Sequence, residues 1–362
     1  MLHNWLQPTS ESNADYRPDQ IGGQLDIYRA EFPDLQEVQV VLLGTESNSA
    51  DHVRRALYPL VFAFGQLRVA DIGNLRKPNP DHYIAVVQEL VEGGVFPILL
   101  GHAPSLIAAQ YRAYHELRKL TSLVVVDERI AHPADEATEP DDPTNYLQPI
   151  LDQKRSRLFH LALLAYQIHY VSPSQLRLFD RRSFDHLRLG RVHEAIREVE
   201  PLIRDADLLA FDVSALRRSD FPGQSPSGLT VEEACQLCRY AGLSDKLTSI
   251  GFYGYDHEVA EETGAQVVAQ MVWYVIEGFH QRKNDFPASV DGLVEYIVHF
   301  RQLDYQVTFW RSTRSGRWWM QVPTETKANQ ERHKMVPCTY EDYQQACQDE
   351  MPERLWRALR RF

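Results

Sequence analysis

VVVDERIAH (124–132) sets three consecutive valines directly before Asp127, Glu128 and Arg129. An apolar run without polar alternation reads as a strand covered on both faces. Its abrupt end on charged residues places position 127 at the strand's carboxyl tip. Two other segments repeat the pattern: ILLGHAPSL (98–106) runs into Gly101 and His102, and LLAFDVSALRRSD (208–220) runs into Asp212.

Outward from these three, strands alternate with helical stretches from about residue 38 to residue 281. EVQVVLLGT (37–45), LRVADIGNL (67–75), LFHLALLAYQI (158–168) and KLTSIGFYGY (246–255) read as further strands. DHVRRALYPLVFAF (51–64), PDHYIAVVQELVEGG (80–94), SLIAAQYRAYHELRKL (105–120), RVHEAIREVEPLIRDA (191–206), VEEACQLCRYAGL (231–243) and TGAQVVAQMVWYVIEGFHQR (263–282) read as helices. Pro80 at the start of one and Gly93 and Gly94 after its end are usual helix punctuation. The alternation predicts an α/β fold, a parallel sheet covered by helices.

The segment 133–146, PADEATEPDDPTNY, reads as a solvated acidic loop at the rim of the sheet. From about residue 285 the character changes. YIVHF, YQVTFWRS and RWWMQVP suggest antiparallel strands, and YEDYQQACQDEMPERLWRALRRF (340–362) a helical tail. The expected organisation is therefore a main domain over 1–284, with 1–37 as an N-terminal extension. Residues 285–362 form an appendage packed on it without a core of its own. Trp318 and Trp319 are consecutive, so their side chains point to opposite faces of a strand. They belong to an aromatic cluster with Trp310, Tyr305 and Phe309, and both are expected to pack beneath the tail helix carrying Trp356.

Composition excludes several functions. The chain is 44% apolar and 24% charged, a globular mixture, and carries a net charge of −12. That excess argues against a nucleic-acid partner. Four cysteines in 362 residues are no disulfide framework, and the N-terminus lacks a signal-peptide pattern. No apolar stretch is long enough for a membrane span. A cytoplasmic location is expected. Cys235 and Cys238 form a CxxC on a helix, but Cys338 and Cys347 do not complete a zinc-type set, so buried free thiols are expected. No GxSxG, Walker or GxGxxG motif is present. GHAPS (101–105), before a helix, could present backbone N–H groups to an anion.

The order of elements and the three strand-tip segments resemble the ureohydrolase superfamily: arginase, agmatinase and formimidoylglutamase. The resemblance spans roughly residues 38–281. It implies a three-layer αβα fold with a pair of manganese ions beyond the central strand tips, activating hydroxide against a guanidinium or formimino carbon. Two adjacent divalent cations require several anionic and imidazole ligands. The family's GGDHS-type motif falls on Gly101–Ser105 and puts Pro104 at its histidine, with His102 two places early. Its DAHxD-type motif falls on 127–131, putting Arg129 and Ala131 at ligand positions and keeping Asp127. Its DxD-type motif keeps Asp212 and puts Ser214 at the second aspartate. A later substrate-contacting glutamate falls near Gly254, in GFYGYDHE (251–258), beside Asp256 and His257.

Two of six ligand positions thus retain a ligating side chain, and Arg129 is expected to pair with Asp127 or Asp212 where a metal would stand. Asp127 and Asp212 also suit turn closure or helix capping, and His102 suits a turn histidine. Three readings follow. The first is a non-catalytic scaffold, binding or regulatory protein without a cofactor, which associates with itself or a protein partner. The second is a manganese-dependent amidine hydrolase using rearranged ligands such as His102, Asp127, His132, Asp212 and Asp256. The third is a binder of a small anionic metabolite beside Arg129.

Overall fold

The computed structural model describes residues 2–10, 15–134, 142, 144–153, 156–287, 289–301, 305–323 and 333–362. The strands are β1 Leu6–Gln7, β2 Asp26–Ile27, β3 Val40–Gly44, β4 Val69–Leu75, β5 Phe96–Leu100, β6 Thr121–Val126, β7 Leu158–Tyr166, β8 Asp185–Arg188, β9 Leu208–Asp212, β10 Ser249–Tyr253, β11 Leu293–Phe300, β12 Tyr305–Ser312, β13 Trp318–Gln321 and β14 Met335–Cys338. The helices are α1 Ile21–Gln24, α2 Ser47–Leu57, α3 Pro80–Glu92, α4 Leu106–Glu116, α5 Gln148–Leu151, α6 Pro173–Arg181, α7 Leu189–Glu194, α8 Glu200–Arg204, α9 Val231–Leu243, α10 His257–His280, α11 Tyr340–Cys347 and α12 Glu353–Leu359.

The main sheet runs β1-β4-β3-β5-β10-β9-β6-β7-β8, with β2 also on β4. From β4 to β8 every pairing is parallel; only β1 joins antiparallel. Its central strands are buried along their whole length. Successive residues point to opposite faces, so each strand feeds two cores. Val40, Leu42, Ile98, Leu100, Val124, Val126, Leu209 and Phe211 join one cluster with α2, α9 and α10. Val41, Leu43, Leu99, Leu123, Val125, Leu208 and Ala210 join the other with α3 and α4. This is the three-layer αβα arrangement expected from the sequence. Among the described residues no helix is long and apolar enough to cross a membrane.

Three helices differ from their sequence reading. α2 stops at Leu57 rather than 64, with Tyr58 still at helical angles (φ −61°, ψ −31°) as its cap, because Pro59 has no N–H to continue the ladder. The stretch 191–206 is not one helix. Ala195, at φ −144° and ψ 57°, separates α7 from a 3-10 turn, Ile196–Val199, and Pro201 lies in the first turn of the separate α8. α10 begins six residues earlier than expected, because Asp256 caps it by accepting from the Glu258 N–H; a kink at Glu261 (φ 48°) follows.

α9 and α10 approach backbone to backbone at Gly242 and Gly278. A Cβ on Gly242 would lie 2.2 Å from the Val275 carbonyl oxygen, and one on Gly278 2.4 Å from that of Arg239. Gly242→Val must push the helices apart, and we expect a loss of about 1–3 kcal/mol, read from urea unfolding. An unchanged midpoint would show that the crossing yields without cost. Cys235 and Cys238 are buried on α9, and all four cysteines are free. Burial pushes the Cys235 thiol up to about 12 and Cys238 well above its ordinary value, so neither is a reactive thiolate.

The C-terminal strands form a separate antiparallel sheet, β11-β12-β13-β14. Contrary to expectation it encloses a core: Val298, Phe300, Val307, Phe309, Trp318, Met320, Val336 and Cys338 pack with Leu355 and Ala358 of α12. The tryptophans divide as the strand pleat demands, but not beneath one helix. Trp318 stacks on Tyr343 of α11 at 4.8 Å. Trp319 faces the main sheet's side of the molecule, where the Arg204 guanidinium sits 4.5 Å over its ring. Arg204 also donates to the Trp318 and Cys338 carbonyls. Trp356 is half exposed. A second tie between the two sheets is Asp185 of β8, which accepts from Arg357 and Arg361.

Candidate functional site

The three motif segments end on strands that are neighbours in the sheet, in the order β5, β10, β9, β6. Val126 pairs with Phe211, and Asp212 with Tyr253, so the tips lie level. Beyond the strands the ladder continues: Gly254 N–H donates to the His102 carbonyl and Asp127 N–H to the Leu164 carbonyl. His102, Gly254, Asp212 and Asp127 thus follow one another along the carboxyl edge of the sheet.

Asp127 is buried and both its carboxylate oxygens are engaged. Oδ1 accepts from the Arg129 N–H at 3.0 Å and from the Ser214 hydroxyl at 3.1 Å. Oδ2 accepts from the Tyr146 hydroxyl, itself buried. Asp212 is buried too, and its Oδ1 accepts from the Ser214 N–H at 2.9 Å, closing the turn after β9. Both aspartates therefore close turns, the structural role open to them from sequence. Gly254, at φ 83°, lies so close that a Cβ there would fall 2.9 Å from Asp212 Oδ1. A glutamate at this position would thrust its stem into that carboxylate.

Two carboxylates in a dry site without a full positive counter-charge cannot both ionise freely. Burial, followed by the charge of Asp127, pushes Asp212 up to about 8. Burial pushes Asp127 up to about 6, against the opposing pull of Tyr146 and the Arg129 N–H. Burial and Asp127 hold Tyr146 well above an ordinary phenol, so it stays protonated and donates. Near neutrality Asp212 is the one of the two that keeps its proton.

Arg129 is not where the sequence reading put it. Its guanidinium pairs with Glu128, not with Asp127 or Asp212, and lies 5.7 Å from the Tyr170 ring. The side chain is half exposed. The reason is local: the Asp127 side chain turns back onto the Arg129 N–H, and this turn sends the arginine side chain outward beside its neighbour. Glu128 is buried, and its other oxygen accepts from Ser225 at 2.6 Å.

The other candidates are dispersed or already engaged. Pro104 accepts the Ile107 N–H in the turn opening α4, and Ala131 is buried with its carbonyl on the Leu147 N–H. His102 is a turn histidine whose Nδ1 donates to the Tyr255 carbonyl at 3.0 Å. His132 Nδ1 donates to the Pro133 carbonyl, and its Nε2 lies 3.7 Å from Asp152. Asp256 caps α10, while His257 meets Ser49 at 3.3 Å and stacks on His52. Among the described residues no group of three or more His, Cys, Asp and Glu side chains could hold a metal ion. Among the described residues the donors at the strand tips do not fit a dinuclear site: two carboxylates cannot offset four positive charges, and each oxygen of Asp127 already accepts from a hydroxyl. The acidic loop lies largely outside the described residues; its close, Asn145 and Tyr146, supplies the Asp127 donor that sequence reasoning missed. No spacing rule could have marked Tyr146.

No family model matches this sequence, and no curated protein matches it by sequence. Solved structures do. The formiminoglutamase of Trypanosoma cruzi with manganese superposes with a TM-score of 0.64 at 16% identity, over 73% of this chain and 99% of that one. The formimidoylglutamase of Bacillus subtilis gives 0.62 at 17% identity, over 77% and 98%. The agmatine ureohydrolase of Thermoplasma volcanium gives 0.56 at 17%, over 68% and 91%. The chain has the fold of these enzymes.

Proposed function

We propose that this chain, built on the fold of the arginase superfamily, is a non-catalytic member of that group, a scaffold, binding or regulatory protein in which hydroxyl donors have replaced the metal pair. The observation that carries the reading is the closure of Asp127: Tyr146 and Ser214 occupy its carboxylate from two sides. Ser214 stands at the position where the resemblance calls for a second aspartate, and its hydroxyl donates to Asp127 instead. In this reading no cation acidifies a bound water at the strand tips. Residues 285–362 would then serve association rather than chemistry.

Turnover tests this. With manganese present, arginine, agmatine and formiminoglutamate should release urea or formamide no faster than in protein-free buffer. Saturable release, abolished by Asp127→Asn, would refute the proposal and favour the hydrolase reading.

A further inference from the structure

The apolar core of the C-terminal sheet is separate from both cores of the main sheet. The hydrogen bonds and ion pairs that hold residues 285–362 on the main sheet are made chiefly by arginines. Arg204 reaches across to Trp319 and to two strand carbonyls. From the other side Arg354 reaches the Glu198 carbonyl, and Arg317 reaches the Leu243 carbonyl and Glu200. Arg357 and Arg361 close on Asp185. Polar contacts of this kind, unlike a large apolar interface, leave two packed units able to separate.

At Asp185 this docking meets a titratable imidazole. Oδ1 accepts from Arg357 at 3.0 Å, while Oδ2 accepts from Arg361 and, at 2.9 Å, from His160 Nε2. The Asp185, His160 and Arg361 side chains are all buried. Burial opposes ionisation of Asp185, but Arg361, His160 and Arg357 outweigh it and hold the carboxyl well below its usual range. An ionised carboxylate only accepts, so the imidazole carries its hydrogen on Nε2. Its Nδ1 is buried and meets no hydrogen-bond partner among the described residues. A proton there would create a buried N–H with no acceptor, on a ring that shares Oδ2 with the Arg361 guanidinium. The docked arrangement thus suits neutral His160 alone, and burial, then the Arg361 charge, lowers the ring's affinity for a proton. The charged groups that face the ring are Arg361 from the tail, Asp185 from β8 and Asp205 at the end of α8. Around them stand Arg357 on Asp185, and Lys246, 2.7 Å from Asp205 and 3.5 Å from His333. Asp185 also lines an open cleft with Arg357, Arg354 and Glu198, which gives water a way in.

We propose that His160 is a proton-operated latch: when the ring takes up a proton, Arg357 and Arg361 leave Asp185 and residues 285–362 swing off the main sheet. One cation then replaces two. The imidazolium pairs with Asp185 on the main sheet, and the guanidiniums pass into water. Because docking lowers the ring's proton affinity, docking is complete above the ordinary imidazole value, about pH 6.5, and weakens as pH falls below it. One proton changes the docking equilibrium by up to about tenfold per pH unit. The inference stands independently of the catalytic reading: His160 and Asp185 lie near the amino ends of β7 and β8, away from the strand tips.

Single-molecule energy transfer in the full chain tests it, with dyes on the exposed Cys347 of α11 and on Lys119→Cys, an exposed position of the main sheet. At pH 7.5 one population should appear. Between pH 6.5 and pH 5 a second, of different transfer efficiency, should grow, while far-UV dichroism stays constant because both sheets remain folded. His160→Gln offers Asp185 an amide N–H but takes up no proton, and should show the docked population alone at every pH. Arg357→Gln keeps His160, removes one guanidinium from Asp185 and should move release to higher pH. A wild type with a single population down to pH 5 would overturn the proposal, as would release accompanied by lost dichroism. So would equal release in His160→Gln. Should that variant fail to fold, an unmoved transition in Arg357→Gln overturns it instead.

Discussion

Asp212→Asn should make the protein more stable at pH 9, by on the order of a few kcal/mol, with the advantage vanishing near pH 4. Asparagine keeps the Oδ1 that accepts the Ser214 N–H and removes the charge that burial and Asp127 oppose. The sign follows from the direction of the shifts. Both aspartates have folded-state pKa values raised above the ordinary carboxylate value, to about 8 and about 6. Their favourable contribution is complete below that ordinary value and is lost as pH rises through about 6 and then about 8. The wild type should therefore weaken between pH 5 and pH 9, while the variant, relieved of the mutual repulsion, shows a flatter profile. Urea unfolding at pH 4.5, 7 and 9 measures the difference. A variant equally destabilised at every pH would mean that Asp212 is a needed anion.

The second large effect lies beneath the opposite flank of the sheet. Arg54 of α2 is fully buried, and its five N–H groups all have acceptors. Nε and Nη2 grip Asp71 of β4 at 2.7 and 2.9 Å; Nη1 reaches Asp51 and Asn74 at 2.8 and 2.6 Å; Nη2 also reaches the Gly73 carbonyl at 2.8 Å. Asp71 further accepts from the Tyr58 hydroxyl and the Gly73 N–H, while Asp51 accepts from Ser10. Arg54→Ala would strand two buried carboxylates, and we expect a loss of about 3–5 kcal/mol. Arg54→Lys should recover little of it, because an ammonium offers three donors without the planar fork. Guanidinium unfolding curves check both; a loss below about 1 kcal/mol would show that water replaces the guanidinium.

The fold was legible because its signals are local. Valine, leucine and isoleucine runs that stop abruptly on glycine or charged residues identify buried parallel strands, and the strand tips bearing Asp127 and Asp212 lie on adjacent strands of the sheet. What escaped depends on contacts between distant residues. Arg129 pairs with its neighbour Glu128 because of the turn Asp127 makes, and charge alone could not choose between the carboxylates. Tyr146 reaches Asp127 from 19 residues further along the chain. Trp319 leaves the C-terminal core by strand alternation, and the cation it meets there, Arg204, lies on a helix read as part of a longer one. The proline breaks were readable in principle: Pro59 and Pro201 stand where helices end or restart.

The central claim is that hydroxyl donors and a protonated Asp212 stand where the fold's enzymes are expected to hold a metal pair. Titration of the purified chain with Mn2+ at pH 8, following the paramagnetic resonance signal of the free aqua ion, addresses it most directly. The free-ion signal should rise in step with added metal from the first addition. Loss of that signal for a pair of ions per chain, restored by Asp127→Asn or Asp212→Asn, would contradict the account.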